Sequence, residues 1–299
     1  MVKDNTLSSK MLDVIVQLVM ALVVLLTLLP LLHVISISFS DPADIVRGKV
    51  GIWPSNFSLA AYHTILFENA HIPRSFVNSV VITVVGTILN VLFTTITAYV
   101  LSKKDLLFRP FFLMFAIMPM FFTGGLVPQF LLVKSLGMMD TIWSVTIPVL
   151  ISSWWLIIMI SFFKNFPIEL EEAAKLDGCG ELQTLVRIVL PLSMAAVVTI
   201  ALFYGVNHWN SYFTAMLYFR SYDNYPLQLL LREIVLQSTL AEQLASQGNA
   251  ALAEDMGSKL TPESVQYATL VISIVPMLII YPFIQKYFVK GIMIGSLKG

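Results

Sequence analysis

The sequence predicts an all-α membrane protein of six transmembrane helices with both termini on the cytoplasmic side. The first observation behind this is composition: 57% of the 299 residues are hydrophobic and 12% are charged. A water-soluble domain carries about 25% charged residues. The second is a set of six windows without Asp, Glu, Lys or Arg, each at least 22 residues long. About 20 apolar residues in a helix cross a hydrocarbon core of about 30 Å. The windows place helices at roughly 12–38, 75–102, 110–133, 142–163, 190–219 and 264–286. The third is the placement of Lys and Arg: with the N-terminus inside, eleven of the 18 fall on the cytoplasmic side and seven outside, the direction of the positive-inside rule.

The first helix has an apolar stretch too long for a signal-peptide core of about 7–15 residues, and no small-residue cleavage site follows it, so it is read as retained. Residues 41–73 form an external segment. Its charge-free part is short and contains Pro54, Ser55, Asn56 and Ser58. The second helix carries a polar stripe, Ser79, Thr83, Thr87, Asn90, Thr94 and Thr97, at three- and four-residue steps. Pro119, Gly124 and Gly125 interrupt the third helix, and Pro276 and Pro282 the sixth; these read equally as hinges or as tolerated kinks. Residues 164–189 are a cytoplasmic loop. The external segment 220–263 is polar and acidic, with an amphipathic helix over 227–244 and a loop over 248–257. No linker or repeat divides the chain, which reads as a single domain, 1–299.

Several functions are disfavoured. The net charge is zero, which implies no nucleic-acid partner. Cys179 is the single cysteine, and the four histidines are scattered, so no metal site is expected. No nucleophile–base pair is evident, so no catalytic residues are assigned. No G-x-x-x-x-G-K-[ST] phosphate loop is present, so the chain has no ATP site of its own. Ion-driven carriers usually hold an ionisable group inside a helix; His208 is the lone mid-helix example here.

The loop between helices four and five is the most patterned part of the chain. Pro167 suits the first turn of a helix, and Glu169, Glu171 and Glu172 suit its positive end. Ala173 and Ala174 favour helix, and Gly178 stops it as a C′ glycine. A second short helix begins near Glu181. Two short helices joined at a glycine make a projection suited to a partner's groove.

As a string, the projection is Glu172-Ala173-Ala174, Gly178, Ile188 and Leu190-Pro191, and it resembles the EAA loop of ABC importer permeases at every anchor and spacing. Trp209-Asn210-Ser211-Tyr212-Phe213 resembles a segment of the maltose-type sugar permeases. The ending, Gln285 to Gly291 and then Ile294 to Gly299, resembles theirs too. The similarity runs over nearly the whole chain, toward second permeases of lipoprotein-operon and polysaccharide importers, including those for pectin fragments and alginate.

That resemblance implies an ABC importer permease fold in a bacterial plasma (inner) membrane, and alternating access. The implied partners are a second homologous permease, two cytoplasmic ATPase subunits that bind ATP and Mg, an extracytoplasmic solute-binding protein, and an oligosaccharide substrate. Glu172, Ala173, Ala174, Asp177 and Gly178 would couple to the ATPase, and the tail Gly295, Ser296, Leu297, Lys298 and Gly299 would reach it. A permease for polyamine, phosphate or peptide is the alternative that the loop alone leaves open.

The fifth helix carries a second polar stripe, Tyr204, Asn207, Ser211, Thr214 and Tyr218, with His208 and Asn210 alongside. Polar groups facing lipid are costly, so both stripes should face protein or a watery route. Small and hydroxylic residues also serve close helix packing. Packing is the favoured reading for helix two. For helix five the solute route is favoured, with Asn207, Trp209, Asn210, Ser211, Tyr212 and Thr214 lining it.

Overall fold

The computed structural model describes residues 7–68, 70–246 and 263–296. Among them there is no strand, only one isolated antiparallel bridge between Ser40 and Phe57. The chain forms two compact units, one of Met1–Ile72 with Glu233–Ile274 and one of Pro73–Arg232 with Val275–Gly299.

The first unit opens with α1 (Leu7–Ser38), which continues through Pro30. Residues 11–30 are exposed on every side. A helix apolar all round has no face for water. After it the chain folds into a tight platform with the short helices α2 (Pro42–Val46) and α3 (Ala60–His63). Asp44, 5% exposed, is its centre. Its carboxylate accepts from Ser55 Oγ at 2.9 Å and Asn56 Nδ2 at 2.7 Å, and these bonds hold its pKa below the ordinary carboxylate value.

α4 (His71–Ser102) is the long helix on which the second unit is built. The apolar window after it is not one helix. It divides into α5 (Arg109–Ile117), a short turn of 3-10 helix at Met118–Met120, and α6 (Leu126–Ser135). Pro119 lacks an N–H for the ladder, and Gly125, at φ 82°, takes a left-handed conformation. The next window divides likewise into α7 (Ile142–Thr146), a turn containing Pro148, and α8 (Ser153–Lys164); the two sides meet at 51°.

The projection follows as α9 (Ile168–Leu176), α10 (Glu181–Thr184), a π-turn over Leu185–Val189, and α11 (Leu190–Leu192). An 85° bend leads into α12 (Met194–Asn210), and α13 (Phe213–Tyr218) continues beyond a break at Ser211. The window 190–219 is thus two helices, with Pro191 confined to the short helix before the bend.

α14 (Leu227–Ser246) covers the helix predicted over 227–244, and α15 (Glu263–Ser296) closes the chain. Pro276 and Pro282 lie inside α15, which runs through both, as the tolerated-kink reading has it. The loop expected over 248–257 lies outside the described residues. Among the described residues three helices are long and apolar enough to cross a membrane, and up to five if each bent pair is one span.

The main core of the second unit gathers Ala98, Tyr99, Leu156, Met159, Leu185 and Ile200 from α4, α8, the π-turn and α12. A second core, with Ile82, Val145, Tyr218 and Leu229, lies toward the other end of α4.

Candidate functional site

α9 begins after Pro167, with Glu169 and Glu171 in its first turn and Lys175 in its last, an order that complements the helix dipole. Its end is a complete Schellman motif. Cys179 N–H donates to Ala174 O at 2.9 Å and Gly178 N–H to Lys175 O at 3.0 Å. Gly178 sits at φ 81°, where a Cβ is disfavoured. The predicted elbow therefore forms at the predicted glycine.

One face of α9 turns inward and one outward. Ala174 is 3% exposed, whereas Glu172, Ala173, Asp177 and Gly178 are exposed. Leu176, between them, is 90% exposed.

Beneath this ridge a charged brace ties the projection to the end of α4. Lys103 pairs with Glu171, and its Nζ stands 4.1 Å from the centre of the Tyr99 ring. Tyr99 Oη donates to Glu181 Oε2 at 3.0 Å, and Lys175 Nζ meets Glu181 Oε1 at 2.9 Å. The Lys175 bond, seconded by Tyr99 and Lys103, keeps the Glu181 carboxyl below the ordinary carboxylate value, and the same pairing raises the Lys175 ammonium. Sequence reasoning singled out Glu172 for coupling, read Glu171 and Glu181 only as residues at helix starts, and gave Lys103 and Tyr99 no part in the site. The available signal was the lysine pair that closes helix two, opposite three glutamates.

The tail residues Gly295 and Ser296 end α15. Leu297, Lys298 and Gly299 lie outside the described residues.

The polar stripes meet at the break before α8. Asn90 Nδ2 donates to Val149 O at 2.6 Å and to Leu150 O at 2.9 Å, carbonyls that the break frees from the helix ladder. Its amide oxygen then faces His208 Nε2 at 2.7 Å, which makes that nitrogen the donor. Tyr204 Oη accepts the Ser152 N–H at 3.0 Å and bonds Thr94 Oγ1 at 2.8 Å. Gly86 permits the approach of α12, because a Cβ there would meet His208 Nε2 at 2.5 Å. Half of the α4 stripe, Ser79, Asn90 and Thr94, is thus spent inside the chain, with Ser79 Oγ accepting Leu227 N–H at 2.7 Å. Thr83 and Thr87 keep buried hydroxyls without a partner among the described residues.

The opposite face of α12 is open. Phe203, Asn207 and Asn210 follow each other at helical spacing and are all exposed. Tyr212, just past the helix, is 41% exposed, with the Arg232 guanidinium 5.5 Å from its ring centre. Ser211 and Thr214 bond each other at 2.7 Å. Trp209 is 4% exposed and meets Phe76 edge-on at 5.9 Å. The structure therefore brings Asn207 and Asn210 together and sets Trp209 apart from them.

A helical membrane chain with bent spans and a capped elbow between two of them has the construction of an ABC importer permease. The comparisons with known proteins agree. A family model described as "Binding-protein-dependent transport system inner membrane component" matches residues 82–294, and the chain belongs to that family. Among curated relatives, the polygalacturonan/rhamnogalacturonan transport system permease protein YtcP of Bacillus subtilis (strain 168) is 40% identical over 98% of this chain and 100% of its own. Protein LplC of the same organism is 40% identical over 99% of this chain and 97% of its own. Among solved structures, a bacterial ABC transporter involved in the import of the acidic polysaccharide alginate superposes with a TM-score of 0.84 at 28% identity. That match covers 95% of this chain and 99% of its counterpart.

Proposed function

We propose that this chain is the second permease of an ATP-driven importer for oligosaccharide or polysaccharide, multi-pass in a bacterial inner membrane with both termini cytoplasmic. It pairs with a homologous permease, two ATPase subunits that hold ATP and Mg, and an extracytoplasmic solute-binding protein. The observation that carries this reading is the braced projection. Its outer ridge is free to dock while its base is fixed to α4 and runs through the 85° bend into α12. Closure of the ATPase pair pushes the ridge, and the brace passes the movement to both helices. This is coupling through a rigid element with two positions. The open Asn207–Asn210 face lines the route. Its amides offer hydroxyl-rich solutes both donors and acceptors.

The full-length likeness to permeases whose names carry polygalacturonan and rhamnogalacturonan supports glycans as the solute class. The test is binding-protein-dependent ATPase activity and uptake by the reconstituted complex. The panel comprises oligogalacturonate, alginate oligomers, neutral gluco-oligosaccharides, a polyamine, phosphate and a peptide. Glycans alone are expected to stimulate. Stimulation by one of the other solutes, with none by any glycan, overturns the assignment.

A further inference from the structure

The platform after α1 presents its most exposed aromatic residue, Trp53, at 82% exposure, next to Ile52 at 49%. These two side chains do not stand beyond the end of α1. His33 Nδ1 is hydrogen-bonded to Gly51 O at 2.9 Å, and His33 lies five residues before Ser38. At 1.5 Å per residue the turn is folded back about 7–8 Å alongside the helix. Leu29, one turn before His33, and Leu32, next to it, are themselves 40% and 42% exposed. Arg47 and Lys49 are exposed just upstream, and neither holds a salt bridge among the described residues.

The turn is rigid. Asp41 N–H donates to the carbonyls of Ser55 and Asn56, and Ser58 N–H to Phe39 O. Asp44 clamps Ser55 and Asn56 from below. Such bracing holds Ile52 and Trp53 in the open at little further entropic cost.

The geometry points to an interfacial anchor: Ile52 and Trp53 seat at the headgroup level of the leaflet that α1 enters, and Arg47 and Lys49 meet lipid phosphates. Trp combines an apolar body with a polar N–H and collects at this depth, and nearby cations add attraction to anionic lipid. Continuity with a helix exposed on all sides chooses lipid as the occupant over a protein partner. The inference rests on α1 crossing the membrane. Its consequence is that the platform's depth is pinned by lipid, so the external segment keeps its height.

The test uses the full chain in phospholipid nanodiscs. The Trp53 emission, taken as wild type minus Trp53→Phe, should be quenched by lipids brominated near the headgroup and spared by aqueous iodide. The quenching should grow with the anionic lipid fraction and lose that dependence in Arg47→Ala/Lys49→Ala. Iodide quenching without bromolipid quenching overturns the anchor, and protection from iodide by the solute-binding protein would make the turn a protein-docking surface. A nitroxide on Val23→Cys in a Cys179→Ser background separates the two levels. A water-exposed label there means the spanning assignment of α1 has failed. A lipid-embedded label beside an iodide-quenched Trp53 means that only the anchor has failed.

Discussion

The joint before α8 contains no formal charge: Asn90, Thr94, Tyr204 and His208 satisfy two carbonyls and one N–H of the break. The brace under the projection is made almost wholly of charge: Lys103, Glu171, Lys175 and Glu181, with Tyr99 between them. Both hang on α4, with Thr94 and Lys103 nine residues apart, about 13–14 Å along the axis. Inside an apolar span a formal charge is costly, and an unmade backbone bond costs several kcal/mol. Neutral side chains placed one to one against the orphan groups are the inexpensive solution. Near water, charge is tolerated and partners can be shared, and Glu181 reaches Lys175, Tyr99 and, at 3.9 Å, Lys103. The joint is thus a single arrangement with no substitute partners. The brace shares its partners, so losing one leaves Glu181 others within reach.

Breaking the joint should have the largest effect. Asn90→Leu strands two carbonyls and the His208 N–H at once, at about 1–3 kcal/mol for each unsatisfied group. A loss on the order of 3 kcal/mol or more is expected in thermal unfolding of the purified permease. Gly86→Ala should approach it, because the added methyl has no room beside the His208 ring. A melting temperature unchanged in both variants would mean that the joint is dispensable.

The brace should cost less to cut. Glu171 is 14% exposed and Lys103 24% at the side chain, so Lys103→Met leaves a mostly buried carboxylate, at about 1.5–3 kcal/mol. Lys175→Met should cost well under that, since its pair is open to water. Acid provides a second cut. The folded-state pKa of Glu181 is depressed, so its contribution is present above the ordinary value of 4.5 and lost as pH falls through the lower folded value. The protection of the α9 and α10 amides, as observed exchange relative to the intrinsic rate at each pH, should fall below about pH 4.5. Glu181→Gln should lower that protection at neutral pH and remove its share of the acid step. Protection factors unchanged with pH in the wild type would show that Glu181 carries no part of the attachment.

Much of this was legible in the sequence where local rules act. Gly178 lies at the C′ position because Ala173 and Ala174 favour helix and nothing but a glycine stops it so sharply. Charge-free windows gave the positions of the apolar segments. The break in the third helix was legible in Pro119, Gly124 and Gly125, but the one at Pro148 was not, because a charge-free window is blind to a proline when neighbouring side chains satisfy what it frees. The partner of Asn90 was illegible for the same reason: Val149 and Leu150 are 59 and 60 residues away, and nothing in their side chains announces a free carbonyl. Trp209 misled because tryptophan suits a sugar ring and a helix core alike, and its register on α12 turns it toward Phe76.

Straining the elbow itself comes next. Gly178→Val places a β-branched residue at φ 81°, at about 1–3 kcal/mol of local strain. No atom lies within 4 Å of the added Cβ, so the cost is conformational alone. The core of the second unit should melt near its normal temperature while uptake falls. ATPase capture by the variant complex distinguishes a detached subunit from an uncoupled one. Normal capture with normal uptake would remove the projection from the coupling path.

The smallest effect is expected on the open face of α12, where comparison with the buried face is sharpest. Asn210 is exposed and belongs to neither network, so Asn210→Leu should leave thermal stability within about 0.5 kcal/mol of wild type. Asn90→Leu, the same exchange on the facing helix, should not. What Asn210→Leu removes is an amide for solute hydroxyls, worth about 0.5–1.5 kcal/mol net. That corresponds to roughly a 2- to 12-fold loss in transport efficiency at 1.4 kcal/mol per decade. The loss should appear in uptake and in solute-stimulated ATPase activity, with the basal ATPase rate unchanged. Asn207→Leu should behave alike, being one turn away on the same face. A fall in stability or in subunit assembly, with surviving complexes transporting normally, would assign the face to packing against a neighbouring subunit. The contrast between a half-spent stripe on α4 and an available one on α12 would then disappear.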